Sequence, residues 1–247
     1  MKVFITGGTT GVGLALAQAY LERGDEVGIC GRDLTKLPEG FQTKYPKLIT
    51  YEADVLNREA LGEIIKKFGE DGLDLVIANA GRSVGKKTKL PNFEISRHVF
   101  EVNVFGVLNT FEPAVELMIK QGSGQLAAVA SVAGFVGLPG ASSYSASKAA
   151  ILKLCESYNI DLHKFGIGVS AIAPGFIDTP LTQQNNHNMP WLMTKEKAAK
   201  VIMSGLDKRK ALIIFPLRMR MVITFLDKIP RLMYRILMKM PAINYSK

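Results

Sequence analysis

The sequence predicts an α/β protein: a parallel sheet of about seven strands, wound on both faces by helices, with a helical extension at the C-terminal end. Three observations carry this reading. Short β-branched and apolar runs alternate with helix-length segments through residue 215. The runs are almost continuously apolar, as strands buried on both faces must be. A glycine-rich turn stands between the first run and the first helical segment.

Taken in order, strands are expected near residues 2–6, 26–30, 47–51, 73–78, 125–131, 168–173 and 211–215. Helices are expected at about 11–23, 57–69, 93–120, 143–165 and 194–206. In the first helix Leu14, Leu16, Ala17, Ala19, Tyr20 and Leu21 supply the apolar side. Parallel strands cannot be joined by hairpins, so each helix is a right-handed crossover. The sequence shows no internal repeat and no low-complexity segment.

The chain has 247 residues, 47% hydrophobic and 21% charged, which suits one large catalytic domain with its own core. Its two cysteines, Cys30 and Cys155, have no paired spacing, and none of His98, His163 and His187 has metal-ligand spacing with another ligand. Neither a disulfide framework nor a metal site is expected. The N-terminus runs straight into a strand without a secretory pattern, so a cytoplasmic location is expected. The net charge of +9 is uneven: residues 195–247 hold 13 Lys+Arg against 3 Asp+Glu, and the remainder is close to neutral. No aromatic-interleaved basic motif accompanies that charge, so nucleic acid is not an expected partner.

The turn reads Thr6-Gly7-Gly8-Thr9-Thr10-Gly11-Val12-Gly13. Between a strand and a helix, such a turn lets backbone N–H groups and the helix N-terminus face a pyrophosphate, and glycine removes the side chains that would block it. Glycine-rich turns also serve simple chain reversal. With a βα alternation around it, the turn suggests a Rossmann-type dinucleotide site. The second strand ends at Gly31-Arg32-Asp33, where an adenosine ribose belongs. Arg32 suits a 2′-phosphate, which favours NADP(H) over NAD(H). Asp33 lies near the spacing of a ribose-binding acid, or is the N-cap of a short segment at Leu34 to Leu37.

Further motifs follow in order: Asp54-Val55 after the third strand, Asn79-Ala80-Gly81 after the fourth, then Asn103, Ser131, Tyr144, Lys148 and Pro174-Gly175. With the turn, this ordered set resembles the short-chain dehydrogenase/reductase family over residues 2 to about 215. YxxxK alone would be weak, because tyrosine and lysine are common. The resemblance implies cofactor contacts from Gly7, Thr9, Thr10, Gly11, Val12, Gly13, Arg32, Asp54, Val55, Asn79, Ala80, Gly81, Tyr144, Lys148, Pro174, Gly175, Ile177 and Thr179. It also places Lys148 on the nicotinamide ribose, Asn103 on a water of a proton relay, and Thr179 near the carboxamide. Bland alternatives stay open for three of these: Asn103 as a polar helix contact, and Asp54 and Thr179 as helix caps.

The catalytic chemistry can be argued from the residues. Tyr144 and Lys148 lie four positions apart on a helix and share a face, so the ammonium should favour the phenolate. That would bring a hydroxyl with an ordinary pKa of about 10 into use near neutral pH. Ser131 can hydrogen-bond the substrate oxygen from the other side. The expected activity is hydride transfer between NADP(H) and a small-molecule carbonyl or alcohol, expected to be hydrophobic, with a cofactor-binding sensor or scaffold without turnover as the alternative. Residues 176–193, including Gln183, Gln184, Asn185, Asn186, His187, Asn188, Pro190 and Trp191, are either a substrate cover or a solvent loop.

Pro216, Pro230 and Pro241 divide the tail, residues 216–247, into candidate helices Leu217 to Ile229 and Arg231 to Met240. Arg231, Arg235 and Lys239 recur along one face of the second, with Leu232, Met233, Ile236, Leu237 and Met240 covering the rest. Neither helix is a membrane span, which needs about 20 apolar residues. The tail is expected to pack on the domain, on a partner subunit of a homo-oligomer, or on an anionic membrane surface.

Overall fold

The computed structural model describes residues 1–84, 90–183 and 189–240. Seven strands form one parallel sheet: β1 (Lys2–Thr6), β2 (Glu26–Gly31), β3 (Leu48–Glu52), β4 (Leu75–Ala78), β5 (Gly124–Val129), β6 (Ile167–Pro174) and β9 (Leu212–Phe215). Their spatial order is β3-β2-β1-β4-β5-β6-β9. The expected doubly wound sheet is therefore present, and the order in which its strands are added turns back between β1 and β4, all strands staying parallel.

Alternation along the strands builds two cores. Val3, Ile5, Leu75 and Ile77 face one side, where α1 (Gly11–Glu22) and α7 (Lys195–Asp207) pack with Leu16, Tyr20, Ile202 and Leu206. Phe4, Val76, Leu126 and Ala128 face the other, against α3 (Arg58–Phe68), α5 (Gly106–Gln121) and α6 (Ser142–Asp161). Leu61, Ile65, Phe111 and Ile151 fill that layer. A side-chain period of two on a sheet with helices on both faces leaves neither face polar, which accounts for the unbroken apolar runs.

Local differences from the expected elements have local causes. The segment expected as one helix at 93–120 is α4 (Phe93–Phe100), a π-helical turn at Glu101–Phe105, and α5. The last expected crossover helix before β6 ends at Asp161, with a single 3₁₀ turn at His163–Phe165 closed by Gly166 at φ +73°. A one-turn helix α2 (Phe41–Lys44) was not expected; it is held by burial of Phe41 and Tyr45 rather than by any periodicity long enough to read. The short parallel pair β7 (Ile177–Asp178) and β8 (Met193–Thr194) was also unexpected, because two residues carry no alternation.

The tail forms α8 (Leu217–Lys228) and α9 (Arg231–Lys239). Met219 and Ile223 from α8, with Tyr234 and Met238 from α9, form a third apolar cluster with Val132 and Val136, joined by Phe135, Leu138 and Phe176. Tyr234 donates a hydrogen bond from its hydroxyl to the Gly137 carbonyl at 2.6 Å. The helices thus rest on the segment that follows Ser131. Pro241 and residues 242–247 lie outside the described residues. Among the described residues, no helix is long and apolar enough to cross a membrane.

Candidate active site

The glycine turn is built by close approach. A Cβ on Gly13 would stand 2.3 Å from the Gly7 carbonyl oxygen, so only glycine lets the first turn of α1 close against the end of β1. Gly7 itself adopts φ +65°, which a side chain would oppose. Asn79 fastens the turn from the neighbouring strand, donating from Nδ2 to the carbonyls of Thr6 and Gly7, both at 3.0 Å. The Thr6 hydroxyl accepts from the Asn79 amide in return at 3.1 Å. Asn57, Asn92 and Thr194 cap α3, α4 and α7 through their side chains, whereas Thr10 makes no such bond at α1. The first turn of α1 therefore presents backbone donors that its own cap does not satisfy.

That turn opens onto a cavity of about 520 Å³. Its wall includes Gly7, Thr9, Thr10, Gly11 and Val12 from the turn, Arg32 after β2, and Asp54 and Val55 after β3. Asn79, Ala80 and Gly81 follow β4; Ser131 follows β5; Tyr144 and Lys148 come from α6; Pro174 ends β6, and Gly175, Ile177 and Thr179 follow it. Two expected residues do not reach the wall. Gly13 is used in helix packing, as its blocked Cβ position shows. Asn103 is fully buried behind the wall in the π-helical turn. Its Nδ2 donates to the Arg82 carbonyl and to Ser147 Oγ, each at 2.9 Å, and its Oδ1 accepts from the Arg82 amide at 2.7 Å. Both amide hydrogens are thus committed to protein, which makes the side chain a clamp between α6 and the segment after Gly81.

Asp33 is the N-cap of the 3₁₀ turn Leu34–Lys36, accepting from the Thr35 amide at 3.0 Å. It also pairs with Lys36 at 3.4 Å. Arg32 is exposed and has no ion pair among the described residues. Asp54 accepts from the Leu56 amide at 3.0 Å, while the cap of α3 is Asn57. Thr179 packs beside Gly11 and belongs to a hydrogen-bonded turn closed by Thr182, and among the described residues no helix starts there.

Ser131, Tyr144 and Lys148 meet where β5 ends and α6 begins. The Ser131 hydroxyl oxygen accepts from the Ala133 amide at 3.1 Å, which leaves its proton to donate elsewhere. Lys148 is 4% exposed; its ammonium donates to the Val129 carbonyl at 2.7 Å and stands 5.7 Å from the centre of the Tyr144 ring. Burial pushes Lys148 down to about 8. Burial also raises the Tyr144 hydroxyl above its ordinary value, with hydrogen bonding from Ser131 acting the other way. The net direction at Tyr144 is upward, opposite to the lowering expected from Lys148, because loss of hydration disfavours both charged forms.

Several wall residues carried no readable signal. Lys36 could have been noticed four positions after Arg32, but Arg82, Ser83, His98 and Val102 reach the cavity only through the fold; Pro180, Leu181 and Thr182 come from the segment expected as a substrate cover. His98 pairs with Glu101 at 3.1 Å, and no cluster of metal-ligating side chains occurs among the described residues. Gln184, Asn185, Asn186, His187 and Asn188, candidates for a substrate cover, lie outside the described residues; Trp191 is partly exposed.

Residues 1–190 match the family model described as short chain dehydrogenase. An uncharacterized oxidoreductase of Myxococcus xanthus is 35% identical over 217 residues, covering 86% of each chain. Another from Staphylococcus aureus is 31% identical over 213 residues, covering 83% of this chain and 90% of the relative. Among solved structures, a short chain dehydrogenase from Burkholderia cenocepacia in complex with NADP has a TM-score of 0.84 at 24% identity over 97% of both chains. A short chain dehydrogenase/reductase from Burkholderia phymatum in complex with NAD has a TM-score of 0.83 at 21% identity, covering 97% of this chain and 96% of that one. These two likenesses are of fold.

The junction between the turn after Ser131 and α6 depends on Gly134. A Cβ there would meet the Lys148 carbonyl carbon at 2.7 Å and its oxygen at 2.8 Å, both backbone atoms that cannot swing aside. Gly134→Ala is expected to destabilise the protein by about 1–3 kcal/mol through overpacking. Equilibrium unfolding in urea measures this, and an unchanged midpoint would contradict the packing described.

Proposed function

The chain belongs to the short-chain dehydrogenase family, and on that footing we propose that it transfers hydride between NADP(H) and an apolar carbonyl or alcohol substrate, with Tyr144 as general acid and base. The observation that carries this reading is one cavity bordered by both the glycine turn with Arg32 and the set Ser131, Tyr144 and Lys148. From β2 to β5 the wall crosses three strand spacings, roughly 14 Å at ~4.8 Å each, a span suited to an extended dinucleotide. Its volume also falls in the range of ligand sites.

The glycine turn and the first turn of α1 would hold the pyrophosphate. Arg32, with Lys36 beside it, would hold the 2′-phosphate, while Asp33 caps the 3₁₀ turn and pairs with Lys36. The reduced nicotinamide supplies the hydride when bound. Tyr144, kept protonated by burial, gives its proton to the substrate oxygen as the carbonyl carbon is reduced, and takes it back in alcohol oxidation. Ser131 donates a hydrogen bond to the same oxygen. Lys148 keeps two ammonium hydrogens beyond its bond to Val129, available to the nicotinamide ribose and the phenol oxygen. Asn103 is a positioning residue, holding the Arg82 backbone and α6 through Ser147. Val102, Pro180 and Leu181 give the wall an apolar stretch, which favours an apolar substrate.

Three outcomes test this. In assays of NADPH oxidation with ketones and aldehydes, including long-chain ones, Tyr144→Phe should lose at least about a hundredfold in kcat while retaining NADPH binding. Equal rates in the two proteins would remove Tyr144 from the chemistry, and no oxidation by either would leave a cofactor-binding protein without turnover. The reduction rate of the native protein should fall as pH rises through about 8, where Lys148 loses its charge while Tyr144 remains protonated. A profile flat across that range would remove Lys148 from the mechanism. Arg32→Ala should weaken NADPH binding about tenfold or more with little change for NADH; an equal loss for both would overturn the 2′-phosphate assignment.

A further inference from the structure

α8 and α9 use only part of their apolar surface to hold onto the domain. Met219, Ile223, Tyr234 and Met238 turn inward, while Leu217, Met221, Phe225, Leu232, Met233 and Ile236 remain between 58% and 70% exposed. On α8 the first three recur every four residues, forming a stripe about a third of a turn or more from the inward-facing arc. On α9, at about 100° per residue, the exposed apolar arc lies between the inward-facing arc and a basic arc of Arg231, Arg235 and Lys239.

Charge makes this surface selective. Arg218, Arg220, Lys228, Arg231, Arg235 and Lys239 stand on the two helices against a single acid, Asp227, which pairs with Arg231 at 3.2 Å. A second copy of the chain seated on this face would bring two sets of cations together. An apolar protein partner would cover the side chains and leave the cations unmatched. A lipid interface supplies hydrocarbon to the first and phosphate to the second. At 12 and 9 residues, roughly 18 Å and 14 Å long, the helices are too short to cross a bilayer and suited to lying along its surface.

We propose that α8 and α9 form a docking surface for an anionic lipid bilayer, with Leu217, Met221, Phe225, Leu232, Met233 and Ile236 entering the acyl boundary and the basic residues meeting headgroup phosphates. Long Arg and Lys stems can lie along the apolar surface while their heads reach the phosphates. The proposal does not depend on the catalytic reading, since none of these side chains borders the cavity.

The full chain is tested by co-sedimentation with vesicles of phosphatidylcholine alone and of phosphatidylcholine mixed with phosphatidylglycerol. Binding should be about tenfold or more stronger to the mixed vesicles and weaken with added salt. Leu232→Ser with Ile236→Ser, and separately Arg235→Glu with Lys239→Glu, should each lower it about tenfold, with the unfolding midpoint and NADPH oxidation on a water-soluble ketone unchanged. The charge-reversal pair removes no apolar contact, so it tests the surface even where the serine pair disturbs α9. Absence of binding to the mixed vesicles, or equal binding to both kinds, would overturn the proposal. So would oligomers that dissociate in these variants without vesicle binding by the native chain, an outcome that assigns the face to a second copy. A protein inactive on every ketone that still binds mixed vesicles would overturn only the catalytic reading.

Discussion

The whole site depends on one stitch, the paired hydrogen bonds between Thr6 and Asn79 across the junction of β1 and β4. At that junction the chain leaves the sheet toward opposite faces, so the backbone parts and a crevice opens beyond the strand ends. A parting of this kind would fray without a tie between its lips. Asn79 provides it with side-chain donors on two successive carbonyls, and in doing so sets how far the glycine turn stands from the strand beside it. Gly13 matters for the same reason, because α1 can reach that turn only where no Cβ intervenes.

At the other end of the cavity, function is set against stability. Among the described residues Lys148 is buried with one carbonyl partner and no carboxylate, and its pKa of about 8 in the folded chain lies below the ordinary 10.5. The unfolded chain therefore binds more protons between these values. Burying the charged form costs stability in full below about pH 8, and the cost fades as pH rises toward 10.5. A methionine would fill the space without that cost. Retaining an ammonium here has a physical rationale only if its charge and donors act on something in the cavity.

Much of this was legible before the structure. Alternation of apolar strands and helices is a dense signal repeated at every element, and the cap at Asp33 needs only a local hydrogen bond. What escaped depends on neighbours distant in sequence. Asn103 reads as a polar residue in a helix, and nothing local says that a π-helical turn sends its amide to Arg82 and Ser147. Lys36 and His98 reach the cavity because β2 and α4 happen to end there. Tyr144 is the sharpest case: spacing identifies its lysine neighbour, but the direction of its titration is set by the depth of burial, which spacing does not encode.

The tail and the cavity share a structural element. Tyr234 is bonded to the carbonyl of Gly137, and the segment carrying Gly137 begins at Ser131, on the cavity wall. The surface that seats α9 and the wall of the cavity therefore meet along one short segment. Linkage makes any coupling through residues 132–138 reciprocal. Whatever free energy an occupied cavity lends to ordering that segment is returned in the same measure to the seating of the tail, so the two ends of the segment titrate one another.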